Sequence, residues 1–373
     1  MATDTLLFRS GSEYTLGVEI EFQIVDQHSY ELVPLAPVLV DSAPEILLPR
    51  LSPEFIKSIL EIQTGICSDL RDVENDLLQT CSMAEELAAE KGCILFAASL
   101  HPFARAAEQE LSSDSRYERI MEELQLLGRR FISQGLHVHV GLPDGDTAIR
   151  VGNLIQAFLP IFLSLSTSSP YFQSEDTGLM SYRTKLFESL PLAGIYEYMR
   201  DWDEFSLEIN NLRHHGIIQT YRDLWWDARP NPEFGTLEIR ICDLPARFSD
   251  ILALVALIQG CVVWLTEENS EAGRFRSYLL QANKWQAVRY GLAGRFVDPT
   301  GMLGDQAMSL QKAAITLKSK IAARAAELGS SIYLEELDNI IARGTGADLQ
   351  RTLFKKSNDF RQVICNVHKG FWK

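Results

Sequence analysis

The stretch Gly17-Val18-Glu19-Ile20-Glu21-Phe22 alternates small or polar residues with apolar ones at every step, and with Leu16 and Gln23 at its ends it reads as a β-strand. Successive side chains of a strand point to opposite faces, so Glu19 and Glu21 share one face and Leu16, Val18, Ile20 and Phe22 the other. Two carboxylates roughly 7 Å apart on one face repel each other unless a cation lies between them. Taken alone, the pair fits a solvated strand face or a metal or substrate site. The same construction recurs twice. In residues 135–141, His137 and His139 stand opposite Leu136, Val138 and Val140; in residues 235–243, Glu238 and Arg240 stand opposite Leu237, Ile239 and Ile241. If these strands pair, carboxylates, imidazoles and a guanidinium converge on one concave surface. Gly135 and Gly141, which bracket the histidine strand, would let a ligand approach the backbone.

With 373 residues, the chain can bury a large core, and its hydrophobic and charged fractions are those of a globular protein rather than a disordered one. A net charge of −15 without a Lys/Arg cluster argues against a nucleic-acid partner, since phosphates would find no cationic surface. It leaves room for a phosphate-bearing cofactor, because divalent cations bridge carboxylates to phosphates. The six cysteines are scattered without metal-knuckle spacing and read as buried free thiols of a reducing compartment. Residues 1–12 lack the basic start and apolar core of a signal peptide. The most apolar run, residues 251–265, contains Gln259 and reads as too short to span a bilayer. The expectation is a cytoplasmic protein with no membrane partner.

Along the chain, the Pro-rich residues 26–53 read as extended or looped, and residues 55–64 as a second strand around Glu61. Residues 68–91 show helical spacing, with Ser68 placed to cap the start and Gly92 to end it. Residues 93–98 read as a short strand, 117–131 as an amphipathic helix, and 147–166 as a helix kinked at Pro160. Residues 167–178 read as loop, 234–242 as a strand, 249–267 as a buried helix capped by Ser249, and the tail from Ser309 as helical. No linker and no repeat interrupts this order, so residues 1–373 read as one domain. Short strands between long helices predict an α+β fold, a mainly antiparallel sheet flanked by helices. The helices at 147–166 and 249–267 suit a core or the interface of a homodimer equally.

No P-loop, H-E-x-x-H or G-x-S-x-G motif is present. The Glu-rich, thiolate-free set suits a hard ion such as Mg²⁺ or Mn²⁺. At this point the residues carry a family resemblance. Residues 16–22, Glu61-Ile62-Gln63-Thr64-Gly65-Ile66-Cys67, His101-Pro102-Phe103 and residues 135–141 come first. Ser169-Pro170, residues 175–177 with Ser181-Tyr182-Arg183, Trp226 to Pro230 with residues 234–243, and Asn283-Lys284-Trp285 with Arg289 to Leu292 follow in order. Together they resemble the carboxylate–amine ligase family related to glutamate–cysteine ligase, the branch typified by the bacterial YbdK proteins, over nearly the whole chain.

That resemblance implies a glutamine-synthetase-like sheet whose curved, concave face binds ATP and divalent cations. It implies transfer of the γ-phosphate to a substrate carboxylate, giving an acyl phosphate that an amine attacks. Glu19, Glu21, Glu61, Glu238 and His137 would hold Mg²⁺ along the triphosphate, with Glu21, Glu238 and Arg240 beside the nucleotide. Arg240 would stabilise the transferring phosphoryl group. Arg183 would grip the substrate carboxylate in bidentate fashion. His139 would contact substrate or support His137, since only the first histidine persists in more distant glutamate–cysteine ligases. Trp226 and Arg229 would border the pocket, with Trp225 packed in the core. The expected activity is a weak or specialised glutamate–cysteine ligase, with amino-acid or carboxylate and amine substrates. Three rivals stand beside it: a guanidino-kinase-like phosphotransferase on the same fold, an ATP-independent metal hydrolase built on His137 and His139, and a binding protein with a degenerate site that senses ATP or an amino acid. One departure is visible. Ala97-Ala98-Ser99-Leu100 precedes His101 where relatives often carry glycines, which could alter the accepted carboxylate or amine.

Overall fold

The computed structural model describes residues 6–268 and 274–373. Its centre is a seven-stranded sheet made of β1 (Leu16–Asp26), β2 (Leu51–Pro53), β3 (Ile59–Gln63), β4 (Cys93–Phe96), β5 (Gly135–Gly141), β6 (Ala228–Asn231) and β7 (Thr236–Asp243). The strands run in the order β6-β7-β5-β1-β3-β2, and β4 takes the far end of β1. Every pairing in this sheet is antiparallel. β1 is the axis: Glu19 stands opposite His137 of β5, and Glu21 opposite Glu61 of β3. The three strands read from sequence period thus meet as neighbours, and the architecture is an open α+β sheet flanked by helices.

Period two explains why this sheet has one wet and one dry face. Val18, Ile20, Leu60, Ile62, Val138, Val140, Leu237 and Ile239 are all no more than 1% exposed, packed on the helix side. Each such side chain contributes about 1.5–3 kcal/mol relative to leaving it in water. The same core draws on residues from Leu16 to Phe371, so both ends of the chain close around it. The helix Phe248–Glu267 lies under β5, with 89% of its most apolar window buried inside the fold. It is longer than its apolar run suggested and by length alone could cross a bilayer, but its surroundings are protein.

Several boundaries differ from expectation for local reasons. Leu70–Glu90 is capped by Asp69, not Ser68, because the Asp69 carboxylate accepts from the amides of Arg71 and Asp72 at 2.8 and 3.0 Å. The helix Phe248–Glu267 starts one residue early, with Arg247 at the N-cap position and no Ser249 cap. The expected helix 117–131 is two, Ser115–Leu124 and Leu126–Arg129, broken where Gln125 adopts φ +51°. The expected kinked helix 147–166 is also two, Gly145–Ile155 and Leu159–Ser166, bent by 66°. Pro160 does not kink a helix but sits in the first turn of the second one, where its missing N–H has no intrahelical partner to lose. Residues 167–178, expected as loop, include a small hairpin, Tyr171–Phe172 with Glu175–Asp176. Residues 51–53, within the stretch expected to be extended or looped, form an edge strand beside β3. All six cysteines are free, five of them buried.

Candidate active site

The wet face of the sheet floors a cavity of about 350 Å³. Alternation on β1 places Glu19 and Glu21 there, and β5 and β3 bring His137, His139 and Glu61 beside them. Glu19 bridges both imidazoles: His137 Nδ1 lies 2.9 Å from Oε2 and His139 Nε2 lies 3.1 Å from Oε1. The other His139 nitrogen, Nδ1, meets Thr236 Oγ1 at 3.0 Å. Glu21 Oε2 accepts the Gly135 N–H at 2.7 Å, and Glu61 Oε1 accepts from the Ser52 hydroxyl at 2.8 Å.

On the opposite flank, Glu238 is gripped by two guanidiniums. Arg229 donates from Nη2 at 2.8 Å and Nε at 3.1 Å, and Arg240 donates from Nη1. Arg229 spends its remaining Nη1 donor on the carbonyls of Arg222 and Leu224. Burial opposes ionisation of Glu238, yet Arg229 and Arg240 hold its carboxyl far below the usual range. Burial also opposes ionisation of Glu19, but His139 and His137 outweigh it and keep that carboxyl low. The other side of the floor is reversed. Burial, followed by the charge of Glu54, pushes Glu21 up to about 8. Burial with Glu19, Glu54 and Glu21 nearby pushes Glu61 well above the ordinary range. The imidazoles also diverge: burial and then Arg240 lower His137 to about 4, whereas Glu238 and Glu19 overcome burial and raise His139.

Two groups of ligand-type atoms result, Glu19/His139/Glu238 and Glu21/Glu54/Glu61, each with its atoms within 4.8 Å of one another. An Nδ1–H on His137 donated to Glu19 leaves Nε2 as a bare lone pair, and that buried nitrogen has no partner. The crowded carboxylates of Glu21, Glu54 and Glu61, which make no Lys or Arg ion pair among the described residues, plus one oriented imidazole nitrogen, fit a hard divalent cation and not a structural zinc. The expected ligands Glu19, Glu21, Glu61, Glu238 and His137 all reach the floor, as do His139 and Arg240. The two histidines do not share one ligand group, since Glu19 stands between them, and that removes the geometric basis of a His-x-His hydrolase.

Two expectations on placement are corrected. Trp226 does not border the cavity: it is buried and stacked on Tyr196 at 4.6 Å, while Trp225 lines the cavity. Consecutive side chains in extended backbone face opposite ways, so one tryptophan on the wall forces the other into the core. Arg183 lies outside the cavity lining, 2% exposed, donating to the Arg240 and Ile241 carbonyls at 3.2 Å and standing over the Phe187 ring at 4.5 Å. It is nonetheless close to the floor. A Cβ on Gly135 would overlap its guanidinium and stand 3.2 Å from His137 Nε2, and Arg183 Nε has no partner.

Glu54 was missed, because the prolines before it read as loop. The signal was the period-two pair Ser52 and Glu54, which puts Glu54 on the same face as Ser52, the partner of Glu61. The apolar end of the cavity, formed by Phe55, Tyr117, Ile120, Phe131 and Phe187, was also missed, because it assembles from four segments distant in sequence.

Comparison with known proteins bears on the family and the fold. The profile of glutamate–cysteine ligase family 2 matches residues 15–367. A Gloeobacter violaceus protein named "Putative glutamate--cysteine ligase 2" is 38% identical over 98% of this chain and 99% of its own length. A Solibacter usitatus protein of the same name is 35% identical over 94% and 91%. In fold, the chain is similar to the Francisella tularensis glutamate–cysteine ligase solved with AMP (TM-score 0.72, 12% identity, 97% of this chain and 89% of that one). It is similar also to a bifunctional glutathione synthetase of Pasteurella multocida (TM-score 0.68, 13% identity, 96% and 52%). With the family profile covering nearly the whole chain and relatives matching end to end, the protein belongs to glutamate–cysteine ligase family 2.

Proposed function

We propose that this protein is an ATP- and Mg²⁺-dependent ligase, working as one cytoplasmic catalytic domain, that joins an amino-acid carboxylate to an amine through an acyl phosphate. Glutamate and cysteine are the first pair to try. The observation that carries this reading is the polarised floor, with carboxylates in excess along β1, β2 and β3, and guanidiniums along β6 and β7. Mg²⁺ (or Mn²⁺) held by Glu19, Glu21, Glu54, Glu61, Glu238 and His137 would supply Lewis-acid neutralisation of the triphosphate. Arg240, kept ionised and aimed by Glu238, meets the charge that spreads over the transferring phosphoryl oxygens. Glu19 fixes the His137 ring and its tautomer through Nδ1. The unpaired Nε of Arg183, beside Gly135, suits a carboxylate reaching the floor from the apolar end. The substrate carboxylate attacks the γ-phosphorus and ADP leaves; the amine then attacks the acyl carbon and phosphate leaves.

The test is ADP release from purified protein with ATP, Mg²⁺ and glutamate, with and without cysteine, followed by a wider panel of carboxylates and amines. ADP formation that needs both partners and stops with EDTA supports the reading. ADP formed with a single partner, and a released phosphorylated product, would replace it with the kinase. Near-wild-type turnover in both Glu19→Ala and Arg240→Ala would remove the assigned site.

A further inference from the structure

Lys284 is a buried charge that the site chemistry leaves unused. It sits on the helix Ser277–Tyr290, 4% exposed, and does not line the cavity. Its ammonium lies 2.5 Å from Asp227 Oδ2 and 3.0 Å from Glu188 Oε1. A buried ion pair is a weak source of stability, because desolvation of both charges offsets most of their attraction. What a buried ammonium does provide is a fixed point between segments, and the segments here are walls of the cavity.

Asp227 follows Trp225 and Trp226, and its backbone has two strong ties. Its N–H donates to Gly194 O at 2.9 Å, and its carbonyl accepts the Arg240 N–H at 2.8 Å. That second bond falls where the β5–β7 register shifts, between Ile239 and Cys242, so Arg240 is presented by an irregular stretch of strand. Glu188 ends the helix Tyr182–Glu188, which carries Arg183 and the wall residue Phe187. Gly194, whose carbonyl accepts the Asp227 N–H, adopts φ +88°, a conformation that favours glycine. Three pieces of the site therefore hang on one ammonium: Trp225, the Arg183/Phe187 helix and the backbone of Arg240.

We infer that Lys284 is a positioning residue that sets Arg240 and Trp225 in the active site through Asp227 and Glu188. For its catalytic consequence the inference rests on the proposed role of Arg240. Removing the lysine alone strands Asp227, whereas Glu188 keeps Lys185, so the informative variant is Lys284→Met/Asp227→Asn, which discharges the main pair while keeping side-chain size. Asp227→Asn alone serves as the milder companion should the double variant not fold.

Two readouts are needed. Amide hydrogen exchange by mass spectrometry should show peptides covering 225–229 and 238–241 exchanging at least about tenfold faster than in the wild type, with peptides of β1 unchanged. Turnover should lose about tenfold or more in kcat while KM for ATP moves less than about threefold, because the displaced guanidinium acts on the transferring group. Unchanged exchange at 238–241, or wild-type kcat in the double variant, overturns the positioning role. Wild-type protein that releases no ADP with any substrate pair overturns the ligase reading instead, and leaves the exchange result to judge Lys284 alone.

Discussion

Replacing Arg229 with Met should be the most damaging single change on the cavity floor that removes neither a proposed metal ligand nor the phosphoryl-binding arginine. Arg229 and Glu238 are 8% and 1% exposed at their side chains, and Arg229 makes two bonds from Nη2, one from Nε and two from Nη1. Met fills similar space without replacing any of them. Glu238 then keeps only Arg240, and the Leu224 carbonyl loses its donor while the Arg222 carbonyl keeps Arg116. Breaking a buried pair from one side costs about 3–5 kcal/mol, because the remaining charge stays desolvated. Unfolding entropy of about 2.1 cal/mol/K per residue, over 373 residues, gives roughly 0.8 kcal/mol/K, so the melting temperature should fall by about 4–6 °C. Differential scanning calorimetry reads this directly. The loss should be the same at about 0.05 M and about 0.5 M salt, since a pair this buried is barely screened. The double variant Arg229→Met/Glu238→Gln should melt above the single one, as the stranded charge is gone. A drop under about 1 °C, or one that disappears in salt, would refute the claim that Glu238 depends on Arg229.

Further expectations follow from the same geometry. Glu54→Gln should raise the Mg²⁺ concentration needed for half-maximal stabilisation by about tenfold, read by thermal shift against Mg²⁺; an unchanged titration would remove Glu54 from the cation site. Trp225→Ala should raise substrate KM with little change in melting temperature, while Trp226→Ala, stacked on Tyr196, should cost about 3–5 kcal/mol of stability; the reverse pattern would mean that the two rings are misplaced. Glu85 lies away from the site and accepts the Leu95 N–H, with His368 Nε2 3.5 Å away, and burial raises its carboxyl to about 7. The folded state thus holds this proton more tightly than the unfolded chain. The associated stability is present below about pH 4.5 and is lost as pH rises towards 7, by at most about 3 kcal/mol. Glu85→Gln should flatten that decline in melts between pH 5 and 8, and an unaltered slope would show that Glu85 is not its source.

Strand period made much of this molecule legible. A period of two is unambiguous about which side chains share a face, so Glu19 with Glu21, His137 with His139, and Glu238 with Arg240 could be paired before any partner strand was known. Pairing these strands into neighbours required only that their apolar faces share one core. Reading failed where the face of a residue is set by irregular backbone. Trp225 and Trp226 sit on a two-residue strand with no period to orient them, and Glu54 follows an edge strand that begins among prolines. It failed also for the apolar end of the cavity, because no local pattern announces that Phe55, Tyr117, Phe131 and Phe187 will meet. Arg183 shows a third kind of limit. Its residue type announced a ligand for carboxylate, but its donors are partly spent on the carbonyls that hold Arg240 in place.

The contrast between Glu21 and Glu238 shows how this face can orient a polyanion without any change in residue type. Both are carboxylates on the same floor, both are buried, and they lie on strands separated only by β5. Glu238 is held ionised against its burial because Arg229 and Arg240 come from its own edge of the sheet, while burial and then the charge of Glu54 push Glu21 up against Arg183 and Arg240. The field across the floor therefore runs from excess guanidinium at β6 and β7 to excess carboxylate at β2 and β3. A triphosphate with its cations has one favourable direction in such a field. On the proposed reading, the phosphoryl group to be transferred would meet Arg240, where Glu238 is already paired, and the cations would sit over Glu21, Glu54 and Glu61, where carboxylates outnumber the cationic side chains. On this argument, substituting the acidic side should weaken cation binding first, whereas substituting Arg240 should spare binding and remove turnover. That division is what a single uniformly acidic pocket could not produce.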